Sequence, residues 1–122
     1  MPSAPHILIA EDHATVRDLI TTVVARTYPN STITAVANGA EALAVYHAHG
    51  ADLLITDYAM PSMTGLALIQ TLRAHQATLP ILVVSMDTSI AQAIVHAGAN
   101  RFLAKPFSVP ELQTVLIDLL PP

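Results

Sequence analysis

Five short apolar runs, each followed by a longer segment of helical period, constrain this chain more tightly than any single motif. The runs are His6–Ala10, Thr32–Val36, Asp52–Thr56, Pro80–Ser85 and Arg101–Ala104, four to six residues each and rich in Ile, Val or Leu. Runs of that length and composition read as strands buried on both faces. Between them Val16, Leu19, Ile20, Val23 and Val24 recur at helical spacing, as do Leu66, Ile69 and Leu72, and Val109, Leu112, Val115, Leu116 and Leu119. Strand and helix alternate five times without a linker, a repeat or a low-complexity segment. That pattern implies one parallel sheet with helices on both sides, a doubly wound (βα)5 sandwich.

Local chemistry marks the joints. Asn38 with Glu41, and Ser108 with Glu111, have capping-box spacing. Pro110 falls in a first turn, where its missing N–H does no harm. Gly50 and Gly98 stand where helices should stop. The second helix, about Gly39–His49, is Ala-rich and short of large apolar residues, so it is the least strongly patterned. A length of 122 residues suits one domain. Charged residues are only 11% of it, against about 25% in an ordinary soluble domain. The apolar excess should fill a doubly covered core and leave some surface for a partner.

The same composition excludes several functions. Each apolar run is interrupted before the roughly 18 residues of a membrane span. Cysteine is absent, so neither disulfides nor thiolate chemistry apply. A net charge of −4 with 5 Lys plus Arg argues against nucleic-acid binding. The N-terminal Met1-Pro2-Ser3-Ala4-Pro5 has no signal-peptide pattern, which points to the cytoplasm. The chain ends at Leu119-Leu120-Pro121-Pro122, and no output domain is expected in it.

Polar residues concentrate at strand ends. Ile9-Ala10 leads into Glu11-Asp12, Ile55-Thr56 into Asp57, Val83-Val84 into Ser85, and Leu103-Ala104 into Lys105. In a parallel sheet these ends share one edge, and ligands bind there where the strand order reverses. For order 2-1-3-4-5 the reversal lies between the first and third strands. Glu11, Asp12 and Asp57 then converge, flanked by Ser85 and Lys105. Three carboxylates at close range need a cation. Lys105 would neutralise one, and a hard divalent ion such as Mg²⁺ suits the rest. Such a site fits a phosphoryl group, with an aspartate as nucleophile, the cations spreading its charge and Ser85 donating to an oxygen.

Glu11-Asp12, Asp57-Tyr58-Ala59-Met60-Pro61 with Gly65, Ser85, and Phe102 ahead of Lys105-Pro106-Phe107 together resemble the receiver domain of two-component response regulators. The resemblance spans essentially residues 1–122 and implies a flavodoxin-like fold. It implies that Asp57 accepts a phosphoryl group from a sensor histidine kinase or phosphotransfer protein. Glu11, Asp12, Asp57 and the Ala59 backbone carbonyl would hold Mg²⁺ (or Mn²⁺), and Lys105 would pair with the phosphoryl group. Ser85 and Phe102 would act as switch residues, reporting on a face built by the fourth helix, fifth strand and fifth helix, for a protein target or a second copy. Such a domain signals and is not an enzyme in the ordinary sense.

Three features depart from the pattern. Met86 follows Ser85 where receivers usually carry Ala or Gly, and a long side chain there would modulate access to the site. Ala59 offers no polar side chain to orient water. The stretch from Ser85 to Gly98 is about two residues shorter than the family's usual spacing. The fourth helix, Ser89–His96, lacks charged side chains and carries two apolar stripes, Ile90/Ile94 and Ala91/Val95. One stripe should face the sheet.

Other readings compete. A pseudo-receiver or scaffold acting without phosphate is the alternative that Met86 and the short segment favour. A Mg²⁺-dependent phosphohydrolase would need a second acid where Ala59 stands. A flavin module would need phosphate-cradling donors where Glu11 and Asp12 stand. Among the six histidines, His47 and His49 are two apart and point apart on a helix, which argues against a metal pair. His13 reads as a solvated helix-start residue.

Overall fold

The structure, a computed structural model, describes residues 4–122. Met1, Pro2 and Ser3 of the N-terminal stretch lie outside it. In chain order the elements are β1 (His6–Ala10), α1 (Ala14–Thr27), β2 (Thr32–Val36), α2 (Gly39–His49), β3 (Leu53–Asp57), α3 (Gly65–Ala74) and β4 (Ile81–Ser85). A 3₁₀ turn (Thr88–Ile90), α4 (Ala91–Ala97), β5 (Arg101–Ala104) and α5 (Val109–Leu119) complete the chain. All strand pairs are parallel and the order is β2-β1-β3-β4-β5. This is the doubly wound α/β sandwich expected from the alternation, and the flavodoxin-like fold that the resemblance implies.

Strand residues alternate between two cores, as a period of two requires. Ile7, Ile9, Leu53, Ile55, Leu82 and Val84 face α1 and α5, meeting Ile20, Val23, Val24, Leu112, Val115 and Leu116. Leu8, Ala10, Leu54, Ile81 and Val83 face the other way, meeting Ala42, Leu68, Ile69, Leu72 and Ile94 from α2, α3 and α4. Only β3 and β4 are buried at every residue, with β1 nearly so. The edge strands β2 and β5 are half-exposed, which corrects the expectation that all five are buried on both faces. An edge strand has a neighbour on one side only, so its covering helices overhang it incompletely.

Three strand boundaries move by one residue, and β3 runs on to include Asp57. Asp52 is not in β3; its carboxylate accepts the His6 N–H at 2.7 Å. Pro80 precedes β4 because proline has no N–H for the ladder, although its carbonyl accepts from Leu54 at 3.0 Å. Helix boundaries show the expected caps. The Ser108–Glu111 capping box is complete, while Asn38 accepts from Glu41 N–H and the Glu41 carboxylate reaches one residue further back, to Ala37 N–H. Gly50 and Gly98 end α2 and α4 at positive φ, 69° and 122°. α2 forms over its full expected span despite its weak pattern.

The segment expected as one helix, Ser89–His96, is instead a 3₁₀ turn followed by α4. Asp87 accepts from the backbone and hydroxyl of Ser89, which tightens the first turn. Ile94 is buried and Ile90 half-buried, so that stripe faces the sheet, while Val95 is exposed. In α3 the buried set includes Leu68, which the pattern did not single out, and Leu66 is only half-buried.

Candidate functional site

Glu11 and Asp12 follow β1, Asp57 ends β3, Ser85 ends β4, and Lys105 follows β5. The β1–β3 register (Ala10 with Thr56) and the β3–β4 register (Asp57 with Val84) bring these ends level. All of them share the edge where the strand order reverses. Gly65 makes the return from Asp57 to α3 tight enough to stay there. Its N–H bonds Tyr58 O at 2.8 Å, and a Cβ on it would lie 2.4 Å from Asp57 O. Any side chain at that position displaces the backbone that carries Asp57.

Glu11 is fully buried, and its carboxylate accepts from Lys105 Nζ at 2.9 Å and from His13 N–H at 3.2 Å. The same ammonium lies 3.4 Å from Asp57 Oδ2, so Lys105 bridges two acids where the sequence reading gave it one. Asp57 Oδ1 accepts the Tyr58 N–H at 2.8 Å. Burial raises the Asp57 carboxyl above the ordinary aspartate range, with the Glu11 charge adding to the rise. Lys105 and the Tyr58 amide pull the other way without cancelling it.

Asp12 supplies the sharpest clue to a cation. Its Oδ1 is buried and accepts no hydrogen bond, an arrangement that costs free energy unless a ligand completes it. His13 Nδ1 is 3.5 Å from that oxygen and 3.5 Å from Glu11 Oε2. It sits within ion-pair reach of both, but the Asp12 contact lacks hydrogen-bond geometry. One ligand atom from each of Glu11, Asp12, His13 and Asp57 lies within 4.8 Å of the others. Three carboxylates and one ammonium leave a net negative site, and its oxygen donors fit a hard divalent cation. His13 is exposed at the N-cap of α1, as expected of a solvated helix-start residue. Its place beside two acids was visible only as adjacency in sequence. Arg17, which donates to Glu11 O at 2.9 Å and steadies that turn, was not anticipated.

Ser85 is buried, and its Oγ accepts from Asp87 N–H at 3.0 Å, leaving its own proton free to donate. Its carbonyl accepts from Lys105 N–H at 2.9 Å, tying these two residues together across β4 and β5. Phe102 pairs with Val83 in register and is half-buried against the α2–α3–α4 core. Met86, the residue after Ser85, is 76% exposed. Ala59 is exposed in the loop that follows Asp57. That loop is shaped by buried Met60 and by Ser62, which takes φ 68° under a Met63 N–H to Pro61 O bond of 2.7 Å. A cleft of about 650 Å³ at the opposite edge, beside Tyr28 and Asp52, gathers no comparable set of charges.

The fold and the site together define a doubly wound α/β protein with an acidic, lysine-bridged pocket at its switch point. The comparisons with known proteins narrow it: the response regulator receiver domain family matches residues 7–117, and the chain belongs to that family. The chemotaxis protein CheY of Pseudomonas aeruginosa is 34% identical over 111 residues, covering 88% of this chain and 89% of that protein. The transcriptional regulatory protein CitT of Bacillus subtilis is 32% identical over 93% of this chain, which spans only 51% of the regulator's length. Among solved structures, the chemotaxis response regulator CheY4 of Vibrio cholerae superposes with a TM-score of 0.83 at 27% identity, covering 96% of this chain and 99% of that one. Among the described residues, no helix is long and apolar enough to cross a membrane.

Proposed function

We propose that this domain, residues 1–122, is a phosphorylation-controlled signalling module with Asp57 as its phosphoacceptor. The observation that carries the reading is the burial of Asp57 beside Glu11 with Lys105 spanning both, next to an Asp12 oxygen that has no partner. An Asp57 oxygen attacks phosphorus, the bond from phosphorus to the donor's histidine nitrogen breaks, and the imidazole leaves. The donor is a sensor histidine kinase or a phosphotransfer protein. Lys105 then meets the new negative charge at short range, and the free Ser85 hydroxyl donates to a phosphoryl oxygen. Burial of the carboxyl favours the acyl phosphate over immediate hydrolysis.

Glu11, Asp12, Asp57 and the Ala59 backbone carbonyl are the residues that would hold Mg²⁺ or Mn²⁺. When bound, such an ion supplies charge neutralisation for the phosphoryl oxygens. The orphaned Asp12 Oδ1 supports that placement. Ser85 and Phe102 are the proposed switch residues, and Met86 the residue that modulates access. The α4–β5–α5 face is the proposed output surface for a protein target or a second copy, and the exposed Val95 and Ile117 suit it. The domain is read as a cytoplasmic signalling module that does not turn over a substrate.

Intact-mass measurement after incubation with acetyl phosphate and Mg²⁺ tests the reading. The expected result is a labile gain of one phosphoryl group in wild type and none in Asp57→Asn. No gain in wild type overturns the proposal and leaves a scaffold that works without phosphate. A gain that persists in Asp57→Asn moves the acceptor elsewhere.

A further inference from the structure

His47, which makes no metal pair with His49 along the helix, lies against another histidine across space. α2 and α3 lie side by side on one face of the sheet, sharing the core around Ala42, Leu68 and Leu72. His47, in the last turn of α2, meets His75, the residue that closes α3. Their ring centroids are 5.3 Å apart at an interplanar angle of 43°, and both side chains are exposed. Two imidazoles sharing a tetrahedral ion at bonds of about 2.0–2.1 Å place their centroids roughly 5 Å apart. The observed separation matches that geometry.

Two further features favour a cation there. Both rings sit at the C-terminal ends of helices, where the partial charge is negative. The neighbouring Arg73 guanidinium is turned away, donating to Gly98 O, Ala77 O and Asn100 Oδ1. The backbone at both positions is also anchored. Tyr46, next to His47, packs on the core, and His75 N–H bonds Thr71 O and Leu72 O, each at 3.1 Å. The second histidine pair in the fold lacks this ring geometry, although His49 also lies in the last turn of α2. His6 and His49 are 6.4 Å apart and edge-on at 76°, and His6 Nε2 already contacts Thr34 Oγ1 at 2.9 Å.

We propose that His47 and His75 form a two-histidine site for a borderline divalent transition ion of the Zn²⁺, Ni²⁺ or Cu²⁺ class, with water completing the coordination. The ion cross-links α2 to α3. The site is separate from the acidic pocket in ligand type, since imidazole nitrogen selects these ions where carboxylate oxygen selects Mg²⁺.

The test is a Zn²⁺ titration of the full chain, with excess Mg²⁺ present to occupy the acidic pocket, followed by histidine ring NMR and calorimetry. The His47 and His75 ring signals are expected to shift together and saturate at one Zn²⁺ per chain. His47→Gln and His75→Gln should each weaken binding by at least about tenfold, the scale on which even outer partners of metal ligands act. His49→Gln should leave it unchanged. Shifts confined to His13 would assign the ion to the acidic pocket and overturn the proposal. So would an unchanged affinity in either single variant, or no shift of either ring.

Discussion

Lys105→Met keeps the length of the side chain and removes its charge, which isolates the role of the bridge between Glu11 and Asp57. At an effective dielectric constant of about 20, the ammonium attracts Glu11 Oε1 at 2.9 Å by roughly 6 kcal/mol and Asp57 Oδ2 at 3.4 Å by roughly 5 kcal/mol. Ligand atoms of the two acids lie within 4.8 Å of each other, a repulsion of roughly 3–4 kcal/mol at the same dielectric constant. Desolvation of three enclosed charges offsets much of the attraction. The Lys105 side chain is only 13% exposed, so the rule for buried pairs applies, and losing one partner costs about 3–5 kcal/mol. That loss is expected at pH 8 without divalent ions, read as a lower urea midpoint at unchanged slope.

The pH dependence follows from the direction of the Asp57 shift. Lys105 lowers the Asp57 pKa, so its removal lifts that carboxyl further above its unfolded value. The native state then holds a proton that the unfolded chain has lost, and stability falls as pH rises through that interval. The deficit should be largest at pH 8 and shrink toward pH 5. A loss below about 1 kcal/mol at pH 8, the scale of a surface pair, would refute the reasoning. An equal deficit at both pH values would refute it as well.

Three further outcomes are expected. Mg²⁺ at about a hundred times its Kd should stabilise the wild type by about 2.7 kcal/mol, seen as a higher Tm, and Asp12→Asn should lose most of that gain. Tyr28→Phe should cost about 1–3 kcal/mol by chemical denaturation, because the single phenol proton is shared between the Leu116 and Leu120 carbonyls, 2.8 and 2.7 Å from the hydroxyl oxygen. Burial pushes that phenol up to about 12; the wild type should therefore lose stability as pH climbs from about 10 through that value, and Tyr28→Phe should not show this step. Met86→Ala should change the rates of phosphorylation by acetyl phosphate and of dephosphorylation, and equal rates in both proteins would remove Met86 from any access role.

The pocket was legible because its parts sit at the ends of apolar runs, where a parallel sheet leaves no choice of edge. Glu11, Asp12, Asp57, Ser85 and Lys105 could be gathered by strand order alone. What sequence did not reveal depends on contacts across long separations. Nothing near Tyr28 announces that its hydroxyl reaches α5, and nothing near Arg73 announces the carbonyl of Gly98. His47 looked isolated because a helix turns it away from His49, and its neighbour His75 belongs to another helix. The half-exposure of β2 and β5 was missed for a related reason, since composition does not show which strands end the sheet. The break before α4 turned on one Asp87 side chain competing with helical geometry.

The position of β3 has a mechanical consequence. Asp57 ends a strand whose five residues are all buried, hydrogen-bonded to β1 on one side and β4 on the other. A load placed on that carboxylate meets a stiff support on both flanks. The segment just past Ser85 is its opposite, since residues 86–89 are exposed and their side-chain hydrogen bonds reach no further than Ser85 to Ser89. Under the proposed function, strain introduced at Asp57 is expected to relax through the exposed β4–α4 connection sooner than through the sheet. A new charge at Asp57 would then sit on the end of a fully buried strand beside an exposed connection, and that contrast would give the change a direction in which to move the chain.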